Sequence, residues 1–160
     1  MTTSAVQTTV PANAPIGLPG DPYPSEEGTV VTKIALEVIP FGVWVSFNTE
    51  GKADLPDSTG EVTGVYGGGV ALRGKDMPSG STGYAIGDAV PVMTRGKVFV
   101  LCEETLVVGD TPFARFASGG GGTQLGAFRN DADTATAVAA PNTRFYAGGG
   151  TTSPAVLELF

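Results

Sequence analysis

The sequence predicts an all-β protein: a small β-barrel or sandwich with an extended proline-rich N-terminal arm and glycine-rich loops. Three observations predict it. Short β-branched runs recur at close spacing, separated by Gly, Pro, Asn and Asp, which favours paired strands over βαβ units. The 160 residues include 24 glycines and 12 prolines. That is rich in turn formers, yet short of the ~25–30% combined share that marks a disordered chain. Finally, two look-alike segments, Gly87-Asp88-Ala89-Val90-Pro91-Val92 and Gly109-Asp110-Thr111-Pro112-Phe113-Ala114, each open a strand from a Gly-Asp turn.

Met1 to Gly20 carries no charged residue. Pro11, Pro15 and Pro19 forbid a helix and favour an extended path. Residues 1–27 therefore read as an arm and residues 28–160 as a single β domain. Ile16, Leu18 and Tyr23 would be sticky on a free arm. They are the candidate contact residues, docking on the chain's own barrel or on a neighbouring subunit.

Thr29 to Ile39 reads as a strand ended by Pro40, and Gly42 to Phe47 as a second strand beside it. Asn48 to Gly60 is a polar loop. Glu61 to Tyr66 and Gly69 to Arg73 flank Gly67-Gly68 as a hairpin. Lys75 to Gly83 is another loop. Ala89 to Met93 is a strand in which Pro91 suits an edge or bulge. Thr94-Arg95-Gly96-Lys97 reads as a tight turn, with Gly96 free to take positive φ. Val98 to Cys102 is continuously apolar, as in a strand buried on both faces. Thr105 to Val108 resumes the β pattern and Pro112 to Phe116 completes it. Residues 118–127 form a flexible Gly-rich loop hinged at Gly119 to Gly122. Asp131 to Ala140 lacks an apolar stripe and reads as coil or a short turn. Thr143 to Ala147 and Ala155 to Phe160 are the closing strands.

The net charge is −7, with 9 basic and 16 acidic residues. Such a chain has no general attraction for a nucleic-acid backbone, because that affinity comes from Lys and Arg releasing counterions. No apolar run is long enough for a membrane span, and no signal peptide is visible. The expected chain is thus cytosolic and soluble, with neither nucleic acid nor membrane as partner. The lone cysteine, Cys102, lies in an apolar run and reads as a core thiol. Trp44, in a strand-like run, likewise reads as core.

Chemistry is hard to find. There is no histidine, which removes the commonest general base and metal ligand and with it any Ser-His-Asp or Cys-His site. Glu103 and Glu104 are adjacent on an expected strand and point to opposite faces. Asp131 and Asp133 would share a face if extended, and Asp54 and Asp57 share a loop. All read as solvated carboxylates, and calcium at Asp131 and Asp133 lacks a repeated oxygen-ligand pattern. Gly67-Gly68-Gly69 with Lys75 superficially suggests a phosphate loop, but Asp76 stands where Ser or Thr is needed. The expectation is no enzyme, no cofactor and no metal.

The stretch Ala14-Pro15-Ile16-Gly17-Leu18-Pro19-Gly20-Asp21, the strand ending Phe41-Gly42-Val43-Trp44-Val45, the run Tyr84 to Val100 and the segment Gly109 to Phe116 together resemble the structural cement, or capsid decoration, proteins of tailed bacteriophages. The resemblance covers roughly Pro15 to Phe160. It implies a structural virion protein made in the bacterial host cytoplasm. Such a protein binds the outer capsid surface, ties neighbouring major capsid proteins together and associates with itself there. A carbohydrate- or receptor-binding β-module of a virion is the alternative, with Tyr66, Tyr84 and Tyr146 as its aromatics. A trimeric nucleotide hydrolase is a third reading, without the acidic and arginine motifs it needs.

Overall fold

A computed structural model describes residues 17–24, 27–64 and 66–160. In chain order the elements are β1 (Thr29–Ile34), β2 (Ile39–Pro40), β3 (Trp44–Phe47), β4 (Ala53–Asp54), α1 (Thr59–Thr63), β5 (Gly68–Ala71), β6 (Gly83–Tyr84), β7 (Ala89–Val100), β8 (Phe113–Arg115), β9 (Phe128–Arg129), β10 (Ala137–Ala139), β11 (Thr143–Ala147) and β12 (Ala155–Leu159). They form a seven-stranded sheet in the order β11-β12-β7-β5-β3-β4, with β1 also on β7, a three-stranded sheet β10-β8-β9, and a two-stranded sheet β2-β6. The all-β expectation holds as a set of sheets rather than as a closed barrel. β4 returns toward β1 but meets it through one isolated parallel bridge, Ala35 to Ala53.

β7 organises the molecule. The expected strand–tight turn–strand over Ala89 to Cys102 is instead one strand of 12 residues. Gly96 has φ +123°, but the chain continues straight past it. A Cβ on Gly96 would lie 2.9 Å from Gly28 Cα, so the glycine permits close approach of a neighbouring backbone rather than a reversal. The pleat shifts just before it, where Thr94 is the extra residue between Met93, opposite Val30, and Arg95, opposite Thr29. Val90 and Val92 join one apolar cluster, with Ile39, Val43 and Val45. Val98 and Val100, also even-numbered, join the other, with Trp44, Phe128, Phe145 and Leu157. Side chains alternate along a strand, so the same parity reaches both clusters only if the phase slips between Met93 and Val98, as at a β-bulge. One strand thereby lines two cores, and Gly96 to Val100 is buried throughout.

Other expectations change for local reasons. β1 stops at Ile34, and its ladder is with β7, not with the Gly42 to Phe47 segment. β3 pairs with β4 and β5. The Glu61 to Tyr66 strand is replaced by α1, a single turn that buries Val62 and ends where Gly64 takes φ 84° and its N–H reaches Gly60 O. Val65 lies outside the described residues. The hairpin through Gly67-Gly68 is therefore absent, and β5 crosses β7 instead, with Met93 O against Gly69. Thr105 to Val108 forms no strand beyond a bridge from Leu106 to Gly149. β11 and β12 match the expected closing strands, and β12 pairs on both sides, with β11 and β7.

Pro91 sits inside the sheet, not at an edge. The register Val70 to Met93 and Ala71 to Val92 continues to Leu72 opposite Pro91. Leu72 N–H donates to Pro91 O at 2.8 Å. The reciprocal bond needs an N–H that proline lacks. The Tyr84 hydroxyl takes its place, donating to Leu72 O at 2.6 Å.

Candidate binding surface

Residues 17–24 lie along β7. Gly20 N–H donates to Phe99 O at 2.8 Å, Phe99 N–H to Asp21 O at 2.9 Å, and Tyr23 N–H to Lys97 O at 2.9 Å. Pro22 bridges Val98 in the antiparallel sense. The next ladder begins at Thr29 opposite Arg95, so this segment and β1 follow the same strand in succession. The glycines here are required by contact. A Cβ on Gly17 would strike the Phe99 ring, and one on Gly20, at φ +89°, would lie 2.7 Å from Arg73 N.

Of the three sequence candidates, Ile16 lies outside the described residues. Tyr23 is turned to the chain's own sheet, its ring 5.8 Å from Phe99 and 5.6 Å from Tyr146. Lys97 Nζ covers the other ring of that pair, 3.9 Å from the Tyr146 centroid. Leu18 is 53% exposed, beside a groove of about 640 Å³. Pro22, Leu72, Met77, Pro78 and Pro91 form its apolar walls, and Asp21, Arg73 and Lys75 supply its charges. Arg73 stacks over Phe41, 4.4 Å from the ring centroid, and lies 3.5 Å from the Asp21 carboxylate. The groove can hold an apolar segment between fixed charges.

A second cluster is not legible as a site in the sequence. Arg115 is fully buried. Its Nε and Nη2 donate to the two oxygens of Glu103 at 2.6 and 2.8 Å, and Nη2 also reaches Asp133 at 2.6 Å. Its Nη1 donates to Thr136 Oγ1 and Ala117 O. Arg129 adds ion pairs to Glu103 at 3.1 Å and Asp131 at 2.7 Å. Gly119 to Gly122 closes over these charges, with Gly121 N–H donating to Asp133 at 3.0 Å. Arg115 and Gly121 N–H hold the Asp133 carboxyl below the ordinary carboxylate range, and Arg129 does the same for Asp131. The Glu103 hydrogen bond raises Arg115 further. The Asp131 and Asp133 carboxylates are committed to arginines and lowered, the reverse of the raised carboxyl a general acid needs. Asp131, Asp133, Glu103 and Glu104 are thus not simply solvated. The available signal is Arg115 and Arg129 inside the apolar runs Phe-Ala-Arg-Phe and Ala-Phe-Arg.

The remaining candidates do not converge. Glu37 is raised by burial first and by its hydrogen bond with Asp54 second, and Glu61 is raised mainly by burial. Among the described residues, no group of three or more His, Cys, Asp or Glu is placed to hold a metal ion. No described helix is long and apolar enough to cross a membrane. Tyr84 is buried, whereas Tyr66 and Tyr146 are exposed, so the three tyrosines form no common platform. Cys102 and Trp44 are both buried.

Sheets, tight glycine contacts and arginine-bound carboxylates define a β scaffold pinned by buried charge. The chain belongs to the phage structural cement protein family: the model described as structural cement protein (E217 gp24/Pam3 gp6) matches residues 6–159. Its fold is that of a solved chain from "The capsid of Myoviridae Phage XM1", with a TM-score of 0.72, 15% identity and 98% of each chain covered. No curated protein matches the sequence. The chain is a structural virion protein related to capsid decoration proteins.

Proposed function

We propose that this protein binds the outer surface of the phage capsid and cements neighbouring major capsid proteins after synthesis in the bacterial host cytoplasm. The family match over nearly the whole chain carries this reading. The net charge of −7 supports an outward position, away from packaged DNA. In this reading, residues 1–27 act as the arm of one β domain, 28–160. Leu18 and Ile16 are its capsid contacts, and Tyr23 fixes the arm to β7 so that Leu18 stands at the groove. Repeated weak contacts across a shell give firm attachment without a large single interface.

The test is co-sedimentation of purified protein with capsids that lack it. Wild type should saturate the particles. Leu18→Asp places a charge at an exposed position, so the fold should persist while occupancy falls several-fold. Undiminished binding by Leu18→Asp would remove the groove from the proposal. No binding of wild type to any capsid preparation would overturn the function itself.

A further inference from the structure

We propose that the groove beside Leu18 is a carboxylate-binding site, and that its occupant is an acidic segment of the capsid shell whose Asp or Glu side chain pairs with Arg73 and Lys75. The inference rests on the capsid-binding reading and names the chemistry of the partner.

Arg73 is held in place without being satisfied. Its backbone N–H donates to Gly20 O at 2.8 Å, and its guanidinium stacks over the Phe41 ring. A guanidinium carries five N–H donors. Those of Arg73 meet only long contacts, Nη1 to Ser81 O at 3.5 Å and Nη2 to Pro19 O at 3.4 Å. Nε lies 3.5 Å from Asp21 Oδ1 and makes no hydrogen bond. Charge-assisted bonds of this kind run at ~2.7–2.9 Å when fully made. Arg115 and Arg129 show the completed form, with carboxylate oxygens at 2.6 and 2.7 Å. Asp21 does not complete Arg73, because its other oxygen, Oδ2, is held by Leu18 N–H at 2.9 Å. A stacked guanidinium with spare donors is already oriented for a carboxylate.

Lys75 is the second cation. It is exposed on the groove wall, and no described residue pairs with it. Arg73 and Lys75 thus face a single lining carboxylate, Asp21, and the neighbouring Asp76 is not among the lining residues. The groove carries excess positive charge on a chain whose net charge is −7. Its apolar walls decide the rest of the occupant. Leu18, Met77 and Pro78 can cover an apolar residue next to the carboxylate and keep water from the ion pair, which strengthens it.

The chain's own leading residues cannot supply that anion. Met1 to Gly20 carries no acidic residue. The arm instead helps to build the site. Leu18, Asp21 and Pro22 line the groove together with residues 72–80, and the bond from Arg73 N–H to Gly20 O ties these two segments together. A partly exposed pair of this kind is modest in a single copy. It sets register, and many copies on one shell multiply it.

Co-sedimentation with capsids that lack the protein, over a range of ionic strength, tests the site. Wild type should lose affinity as salt rises, because partly exposed ion pairs are screened. Lys75→Glu, at an exposed position, should keep the wild-type unfolding midpoint and bind several-fold more weakly, whereas Lys75→Arg should bind as wild type does. Lys52→Glu makes the same charge change outside the groove and should also bind normally. Ser79→Cys labelled with a benzophenone maleimide carries a photo-crosslinker on the groove wall of a chain whose native cysteine is buried. On capsids it should capture a capsid-protein segment bearing Asp or Glu beside an apolar residue. Changing that acidic residue to lysine should restore binding of Lys75→Glu. Equal loss in Lys75→Glu and Lys52→Glu would overturn the proposal and leave capsid binding in place. So would capture of a segment without a carboxylate, capture of a second copy of this chain, or no restoration by the altered capsid. Wild type that binds no capsid would overturn the functional reading itself, and the carboxylate site with it.

Discussion

Removing the Tyr84 hydroxyl should expose how the fold tolerates proline inside a sheet. Tyr84→Phe keeps the ring, which packs edge-on against Phe41 at 5.2 Å and 89°. It removes the donor that reaches Leu72 O at 2.6 Å and, with it, the oxygen that Gly74 N–H meets. That carbonyl cannot turn to Pro91, which has no N–H. A buried acceptor left without a partner costs about 1–3 kcal/mol. At about 2–4 °C per kcal/mol for a chain of this size, the melting temperature should fall by roughly 2–12 °C. Pro91→Ala supplies the missing N–H from the opposite strand. In the Pro91→Ala background, Tyr84→Phe should therefore cost less, with a coupling of about 0.5–3 kcal/mol between the sites. The assay is denaturant and thermal unfolding of the four proteins in the cycle. Equal losses from Tyr84→Phe in both backgrounds would refute the reasoning, because Leu72 O would then not be the shared acceptor.

Four further outcomes follow from the charged groups and the thiol. Glu103→Gln removes the anion between Arg115 and Arg129 and should destabilise by about 3–5 kcal/mol, as breaking a buried pair from one side does, measured by urea unfolding. The acid limb should depend on Asp133: its folded value is depressed, so its contribution is complete above the ordinary 3.8 and is lost as pH falls through the folded value. Asp133→Asn should therefore lower Tm at pH 7 and flatten its fall in acid. Glu37 has the opposite sign. Its folded value lies above the ordinary 4.5, so ionisation at neutral pH costs stability that returns as pH falls through the raised folded value toward 4.5. Glu37→Gln, able to keep the bond from Leu55 N–H, should raise Tm at pH 7 and lose that advantage in acid. Cys102, buried and pushed up to about 11, should resist a thiol reagent at pH 8 in the folded protein and react fully in urea, whereas rapid native labelling would contradict its core position.

The strands that can be read from sequence are those whose pattern is set locally. β11 and β12 are apolar, β-branched or aromatic segments set off by Pro141 and the glycines around residues 148–150, and they form where expected. β7 misleads because a glycine between two apolar runs looks the same whether the chain turns or slips phase. Only Gly28, brought close by tertiary structure, distinguishes the cases. α1 misleads because Glu61-Val62-Thr63 alternates in both secondary structures, and a single turn offers no second repeat. The charge cluster is hidden for a different reason. Glu103 and Asp133 lie far apart in sequence, and topology brings each to Arg115. The arm's candidates are legible as apolar residues, but which of them serves the chain itself depends on β7. Phe99 and Tyr146 claim Tyr23 and leave Leu18 outward.

The charge cluster also accounts for the tract that looks least specific. β8, β9 and β10 have three, two and three residues, too few for their ladders alone to fix a sheet. Between them, Asp133, Thr134 and Ala135 all take positive φ, at 39°, 58° and 65°. They make a left-handed turn closed by Thr136 N–H and Ala137 N–H on Ala132 O. Such backbone costs about 1–2 kcal/mol per residue for L-amino acids, so it persists only where its surroundings determine it. Asp133 provides that determination, because its carboxylate joins Arg115, Arg129 and Gly121 N–H. The glycines follow from the same packing. A Cβ on Gly119 would strike Asp133 and one on Gly122 would strike Glu103; one on Gly121 would come within 2.5 Å of Arg129 Nη1. Their value here is the absence of side chains over a buried ion network, which lets charge geometry fix short strands that hydrophobic area alone would leave loose.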